Sequence, residues 1–316
     1  MSDVLGFPLA PEQASGIAPQ VDLLFWCLTG LSAAMTVGIA CAIVIFVVKY
    51  HHTSKADRRR RSTGNWLIEF GWILIPLGLF LGFFLWGSRL YVHEASPPRG
   101  ATEIFVVGKQ WMWKIEHPSG RREINELHVP VGKPVVLSMI SQDVIHDVYV
   151  PAFRIHHDVL PGRYMREWFT VTRPGRYHLF CSQYCGTQHA GMVGWVVAMP
   201  PAEFEAWLGT GNAQPSMLQA GATSFRELGC TGCHMGASSV RAPRLEGLYG
   251  RPVPLQGGGF AIADDQYLHD SILLPKKQIV AGYQPVMPSY QGQIDESQVL
   301  ELVAYLRSLG SERSMP

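Results

Sequence analysis

Twelve consecutive residues concentrate metal-seeking side chains: Cys181-Ser182-Gln183-Tyr184-Cys185-Gly186-Thr187-Gln188-His189-Ala190-Gly191-Met192. Two thiols, an imidazole and a thioether are soft or borderline donors. Together they favour copper over magnesium, calcium or manganese, and zinc seldom takes a methionine. The segment therefore reads as a redox-active copper site. A structural zinc site and a Cys-x-x-x-Cys disulfide are the alternatives, and neither uses Met192. One more histidine has to come from elsewhere in the chain. His146 is the candidate, because it follows the strand-like run from Ser138 to Val144.

A second constellation, Cys230-Thr231-Gly232-Cys233-His234, is the C-x-x-C-H pattern of covalent haem c attachment. Two thiols one helical turn apart form thioethers to the haem vinyls, and the adjacent histidine coordinates the iron. A thioredoxin-like pair would need a βαβ setting, which the surrounding sequence lacks. The other axial ligand must come from a distant segment, and Met287 in Pro285-Val286-Met287-Pro288-Ser289-Tyr290 is placed to supply it. A methionine ligand would raise the potential. Met235 is too close to His234 to reach the opposite haem face, and Met217 leads into a helix; both read as packing residues. The remaining cysteines, Cys27 and Cys41, sit in apolar runs.

These groups must be positioned by a chain of 316 residues that is 47% hydrophobic, 16% charged and carries a net charge of +1. That composition excludes disorder, collagen and a small disulfide scaffold, and it gives no basic field for nucleic acid. Between Asp22 and Lys49 lie 26 uncharged residues, about 39 Å as a helix, against the ~30 Å of a bilayer core. A second uncharged run of 19 residues lies between Glu69 and Arg89. The pair reads as a two-helix transmembrane hairpin. Its connecting loop holds Lys49, Lys55 and Arg58 to Arg61 against the single acid Asp57, so the positive-inside rule places that loop in the cytoplasm and both termini outside.

Beyond the hairpin, short β-rich runs at Glu103–Val107, Pro134–Ile140, Glu167–Val171, Arg176–Phe180 and Gly194–Met199 are separated by turn signals, which predicts a β-sandwich or barrel. Past a seam near Gly209 to Pro215 the pattern turns helical. The clearest helix runs from Glu296 to Leu309, with Val299, Leu302, Val303, Leu306 and Leu309 on one face, Asp295 as N-cap and Gly310 as the stop. The expected organisation is an outer segment at 1–20, a hairpin at 21–92 with its cytoplasmic loop at 49–65, an all-β domain at 100–207, a linker at 208–215 and an all-α domain at 216–316.

The series Ser141-Gln142-Asp143-Val144-Ile145-His146-Asp147-Val148, Val150-Pro151-Ala152-Phe153, Leu160-Pro161-Gly162-Arg163, Arg173-Pro174-Gly175 and the Cys181 to Met192 loop resembles subunit II of the haem–copper cytochrome c oxidases. The similarity runs from the first helix to about Trp207. It implies a Greek-key cupredoxin domain carrying the binuclear copper centre CuA. Cys181 and Cys185 would bridge two copper ions, His146 and His189 would be the terminal imidazoles, Met192 an axial ligand and Gln183 a backbone-carbonyl ligand. The family usually has a glutamate at the position of Gln183, whose side chain helps bind magnesium at the junction with subunit I.

Gly108-Lys109-Gln110-Trp111-Met112-Trp113 is similar to the family's aromatic segment, whose first tryptophan accepts electrons from a docked donor, here Trp111. Trp113 reads as packing. Glu69-Phe70-Gly71-Trp72 with Pro76 resembles the mouth of a proton pathway into subunit I, with Glu69 as its acid; a snorkelling interfacial acid is the alternative.

From Ser216 to Ser311 the chain resembles a class I cytochrome c, including Arg241-Ala242-Pro243-Arg244-Leu245 and Gly250-Arg251-Pro252. The combination resembles subunit II of a caa3-type oxidase in a bacterial inner membrane, with both metal domains on the periplasmic side. It implies as partners subunit I, with haem a and copper, and subunit III. It also implies the lipid bilayer and an external donor such as a cytochrome c, a copper protein or a quinol-oxidising complex. The implied activity is electron transfer from that donor, through haem c and CuA, to subunit I, where oxygen is reduced to water and protons are pumped. A CuA-containing nitric oxide reductase and a copper-assembly protein are the rival readings; a quinol oxidase subunit would lack the copper ligands.

Overall fold

The computed structural model describes residues 10–56, 66–210, 215–235 and 242–311; the arginine run at 58–61, the linker centre at 211–214 and Arg241 lie outside the described residues. The chain forms two compact units, one from Ile17 to Ser96 and one containing the residues before Ile17 together with those from Pro97 onward.

The first unit is a pair of helices, α1 (Ala18–Lys49) and α2 (Trp66–Glu94). Both contain the uncharged runs read from the sequence and extend beyond them. Leu23, Val37, Ile45 and Val48 on α1, and Trp72, Ile75, Phe80 and Leu85 on α2, are exposed. Helices of this length that are apolar all round and uncovered by protein are suited to lipid. Each is long and apolar enough to cross a membrane. Glu69 lies in the first turn of α2, and Pro76 lies inside it.

The second unit begins with ten strands: β1 (Thr102–Lys109), β2 (Met112–Glu116), β3 (Arg122–Ile124), β4 (Glu126–Pro130), β5 (Pro134–Ser141), β6 (His146–Val150), β7 (Ile155–Val159), β8 (Met165–Thr170), β9 (Gly175–Cys181) and β10 (Val193–Met199). They form two five-stranded sheets, ordered β3-β2-β1-β5-β8 and β4-β10-β9-β6-β7. The β1–β5 and β4–β10 pairs are parallel and the others antiparallel. The inner faces bury Ile104, Val106, Leu137, Val148, Leu179 and Val196 between them. Residues 14–16 join the edge of this sandwich, with Ser15 bridged to Val171 and Ala14 N–H donating to Ala152 O at 2.9 Å.

The five expected strands fall within or beside β1, β5, β8, β9 and β10. The other five strands did not stand out in the sequence. β3 is only three residues, and β2 and β7 mix apolar with charged or histidine side chains.

After the sandwich come α3 (Pro201–Gly209), α4 (Met217–Glu227), α5 (Thr231–His234), a small hairpin of β11 (Pro252–Pro254) and β12 (Phe260–Ile262), α6 (Asp265–Leu273) and α7 (Glu296–Ser311). The C-terminal part is thus helical with one two-stranded addition. α4 opens with a capping box, in which the Ser216 hydroxyl accepts from Gln219 N–H and the Gln219 side chain accepts from Ser216 N–H. α7 is capped by Asp295 Oδ1, which accepts from Gln298 N–H at 2.9 Å, as expected.

Gly310 is not the stop expected from the sequence, because α7 continues through it to Ser311. A Cβ there would lie 3.2 Å from Tyr249 Cβ, so the glycine serves close packing rather than termination. Val299, Leu302, Val303 and Leu306 form the helical core with Phe225, Tyr267, Leu268 and Ile272, with Leu309 at its edge. The outer side of the first sheet is covered as well, since Phe105, Val107 and Ile140 pack with Met217 of α4 and Leu300 of α7. Burial on both faces explains why β1 and β5 are nearly continuous apolar runs rather than alternating ones.

Candidate metal centres

β6 and β9 are neighbours, with Val148 opposite Cys181, so His146 at the start of β6 is carried to the end of β9, where Cys181 sits. The loop after β9 folds back on itself. Cys181 N–H donates to Met192 O at 3.2 Å, and Met192 N–H donates to His189 O at 3.1 Å, closing a 3-10 turn at His189–Gly191. Six donor groups thereby converge. Cys181 Sγ and Cys185 Sγ are 3.8 Å apart; Cys181 Sγ lies 3.9 Å from His146 Nδ1 and 3.2 Å from Gln183 O; Cys185 Sγ lies 3.5 Å from His189 Nδ1 and 3.8 Å from Met192 Sδ. His146, Cys181, Cys185 and Met192 are buried.

The sulfurs are separate thiols, since a disulfide would hold them at about 2.0 Å. At 3.8 Å both could ligate one ion through thiolate–metal bonds of about 2.3 Å. Their electrostatics also suit a cation. Burial pushes Cys181 up, but the His146 hydrogen bond and those at Asp147 and Gln183 outweigh it and hold the thiol below its ordinary value. Burial and the neighbouring Cys181 sulfur push Cys185 up to about 12. Two thiolates this close require a positive charge between them. The donor set fits copper, and all six residues predicted for the site are in it.

A supporting shell fixes these donors. His146 Nε2 lies 2.8 Å from Asp143 Oδ1, which leaves Nδ1 facing Cys181. Asp143 also accepts from Gln110 N–H at 2.7 Å and from Val144 N–H at 2.7 Å. Burial disfavours the Asp143 anion, but these hydrogen bonds hold the carboxyl below its ordinary range. The Asp143 role was not singled out from the sequence, although an acid three residues before a ligand histidine is a usable signal, because such histidines commonly donate their other ring nitrogen to a carboxylate. Trp111 is partly exposed, and its Nε1–H donates to Cys185 O at 3.3 Å; the Gln110 amide donates to the same carbonyl at 2.7 Å. Trp113 is fully buried and meets the His146 ring edge-on at 5.9 Å.

Glu123, Glu126 and His128 form another cluster of potential ligands. The Glu123 oxygens are already engaged by His117 Nε2, His128 Nδ1 and His128 N–H, and Glu126 pairs with Arg176 at 3.0 Å. Trp207 stacks on His128 at 4.2 Å. The Glu123 and Glu126 carboxylates and the His128 ring are thus engaged within the protein.

In the helical part, Cys230 N-caps α5, which contains Cys233 and ends at His234. A cavity of about 460 Å³ adjoins it, lined by Cys230, His234 and Met287 together with Phe225, Leu302 and Leu306. That size and apolar lining are ordinary for a cofactor site. His234 Nδ1 is 2.9 Å from Pro243 O, which orients the ring and leaves Nε2 for iron. The cavity and its donors fit a haem bound through Cys230 and Cys233. Met235 is exposed and Met217 packs in the cluster on the first sheet, so neither competes with Met287.

Residues 121–199 match the family of the cytochrome c oxidase subunit II periplasmic domain, and residues 218–310 match the cytochrome c family. The chain thus joins a cytochrome c oxidase subunit II periplasmic domain to a cytochrome c domain behind it. Cytochrome c oxidase subunit 2 of Alkalihalophilus pseudofirmus is 25% identical over 326 residues, covering 95% of this chain and 92% of the relative. The corresponding protein of Thermostichus vulcanus is 28% identical, covering 63% of this chain and 77% of its own length. Among solved structures, the periplasmic domain of subunit II from Bradyrhizobium japonicum is 30% identical, covering 36% of this chain and 96% of that one, with a TM-score of 0.35.

As a subunit II, the chain is a membrane protein with its copper domain outside. It receives electrons for a haem–copper terminal oxidase and associates with other oxidase subunits. Its cofactors are copper and haem c.

Proposed function

We propose that this chain takes electrons from an external donor and delivers them, by way of haem c and a binuclear CuA centre, to subunit I for reduction of oxygen to water coupled to proton pumping. Cys181, Cys185, His146, His189, Met192 and the Gln183 carbonyl would hold the two copper ions. Cys230, Cys233, His234 and Met287 would hold the haem. Bound there, these groups supply one-electron relay. The observation that carries the reading is the convergence of two thiols, two imidazoles, a thioether and a carbonyl on a loop within the matched subunit II region.

The protein's own part is to fix geometry. Asp143 orients His146, and Gln110 and Trp111 brace the Cys185 carbonyl from the turn between β1 and β2. Rigid donors reduce the rearrangement that accompanies each electron. Trp111, partly exposed and bonded to this loop, is the proposed acceptor from a docked donor. Glu69, in the first turn of α2, is proposed to open a proton path into subunit I, with subunit III as a further partner. Gln183 retains the carbonyl donor but lacks the carboxylate used for magnesium in the family. The proposed domain limits are 100–207 and 216–316, in a bacterial inner membrane.

A reduced-minus-oxidised optical spectrum and a copper-to-haem ratio of the complex, purified through a tag on this chain, test the proposal. Haem a with haem c and two coppers per chain beyond those of subunit I are expected. Haem b without haem a would instead favour a nitric oxide reductase, and a single copper would refute the binuclear centre.

A further inference from the structure

We infer that the surface over Met287, between the end of α6 and the Met287 loop, is the docking face for an acidic protein that donates electrons to the haem domain. This rests on the haem c reading above, with Met287 as the iron ligand. On the outside lies a depression of about 560 Å³, lined by Leu274, Lys276, Lys277, Val286 and Met287 among others. On the inside lies the cavity that adjoins Cys230 and His234. Pro275, Pro285 and Met287 line both, so at these residues a single layer of side chains separates the two. A partner seated in the depression therefore meets the proposed iron ligand directly.

The face is built before a partner arrives. Lys277 N–H donates to Leu274 O at 2.8 Å, which turns the chain at the end of α6. The Ser289 hydroxyl donates to Leu273 O at 2.6 Å and Tyr290 N–H donates to Ile272 O at 3.3 Å, which hold the Met287 loop against α6. Leu274 and Val286 are 41% and 55% exposed. Apolar side chains at the centre with charge at the rim are the anatomy of a protein interface.

The charge here has one sign. From Ser271 to Ile294 the chain holds two cations, Lys276 and Lys277, and no acid. Lys277 Nζ lies 2.6 Å from Oδ2 of the buried Asp270. Lys276 is exposed and makes no ion pair among the described residues. Elsewhere around the cavity Arg244 and Arg251 outnumber Glu246. Such a face attracts carboxylates and repels a basic protein, and charge of this kind steers encounter and sets partner choice. The fitting partner is a small protein whose one-electron centre lies near an apolar patch rimmed by Asp and Glu. One electron passes from its reduced centre to the ferric haem, and no atom is transferred.

The test uses the full chain in its oxidase complex, with a reduced acidic copper protein and a reduced basic cytochrome c as probes. Stopped-flow spectra follow haem and copper across a range of salt, and calorimetry reads binding of the same copper protein with zinc in place of copper. The acidic probe should reduce haem c first, with a rate constant that falls as salt rises, and the basic probe should be severalfold slower at low salt. Lys276→Glu should slow the acidic probe and weaken binding of the zinc form severalfold. Lys276→Arg should restore both, and Lys133→Glu on the sandwich should change neither. An unchanged haem spectrum shows that each variant is folded. Haem-first reduction that ignores the charge at position 276, or that is faster with the basic probe, would overturn the inference and leave the two-centre reading standing. So would acetylation of the oxidase, without donor, that spares Lys276, because another subunit or a second copy would then cover the face. Copper reduced ahead of haem, by way of Trp111, would overturn the two-centre order and the inference with it.

Discussion

Replacing Asp143 with asparagine probes how far the copper site depends on residues that are not ligands. The carboxylate accepts from His146 Nε2 at 2.8 Å, Gln110 N–H at 2.7 Å and Val144 N–H at 2.7 Å. An asparagine has one acceptor oxygen. In its best orientation that oxygen keeps His146 and Val144, while the NH2 group faces the Gln110 N–H, donor against donor. One charge-assisted bond is lost, a contribution of about 1.5–3 kcal/mol, and the His146 ring loses the anion that holds it in line. Loss of such a support typically weakens metal binding about 10- to 100-fold, or about 1.4–2.7 kcal/mol. Competition with a copper chelator on the full-length chain in detergent, read by the visible spectrum, should show a loss in that range with a shifted absorption. Unchanged affinity and spectrum would refute the idea that Asp143 positions His146.

Copper affinity should rise with pH across the neutral range, by about tenfold per unit for each proton displaced, because Cys185 is held up to about 12 without metal and must be deprotonated to ligate. Chelator competition at a series of pH values checks the slope. Gly221→Ala should destabilise the haem domain, since the added Cβ would sit 2.0 Å from Glu301 O and 2.8 Å from Tyr305 Cβ, where α4 crosses α7. The overpacking cost of about 1–3 kcal/mol outweighs the gain of about 1 kcal/mol in helix propensity. A lowered melting temperature of the haem absorption is the readout. Met287→Ala should change the haem ligation and lower its midpoint potential in a redox titration; an unchanged potential would remove Met287 from the ligand set.

Both metal-binding loops were legible in the sequence because their chemistry is local. The Cys181 to Met192 donors share one loop, and Cys230 to His234 share one helical turn. The membrane helices were legible because lipid demands long uncharged runs. What escaped depends on distant partners. Arg122 and Glu301, separated by 179 positions, are polar residues whose burial makes sense only once α7 lies on the sandwich. Strands β2 and β3, which carry Glu116 and Arg122, consequently look like solvent-facing loop in the sequence. Gly310 misled for a related reason: a glycine after an apolar helical run usually stops a helix, and only the nearby Tyr249 shows why it is small.

The cover over the first sheet also bears on how the protein can be handled. Phe105, Val107 and Ile140 are shielded from water by Met217 and Leu300, with Tyr164 and Ala304 at the margin. A fragment ending before α4 would leave those three side chains as a contiguous apolar patch. Patches of that kind mark surfaces prone to self-association. The copper domain of this chain is therefore expected to be a poorly soluble fragment when excised, and its metal chemistry is best studied with the cytochrome domain left attached.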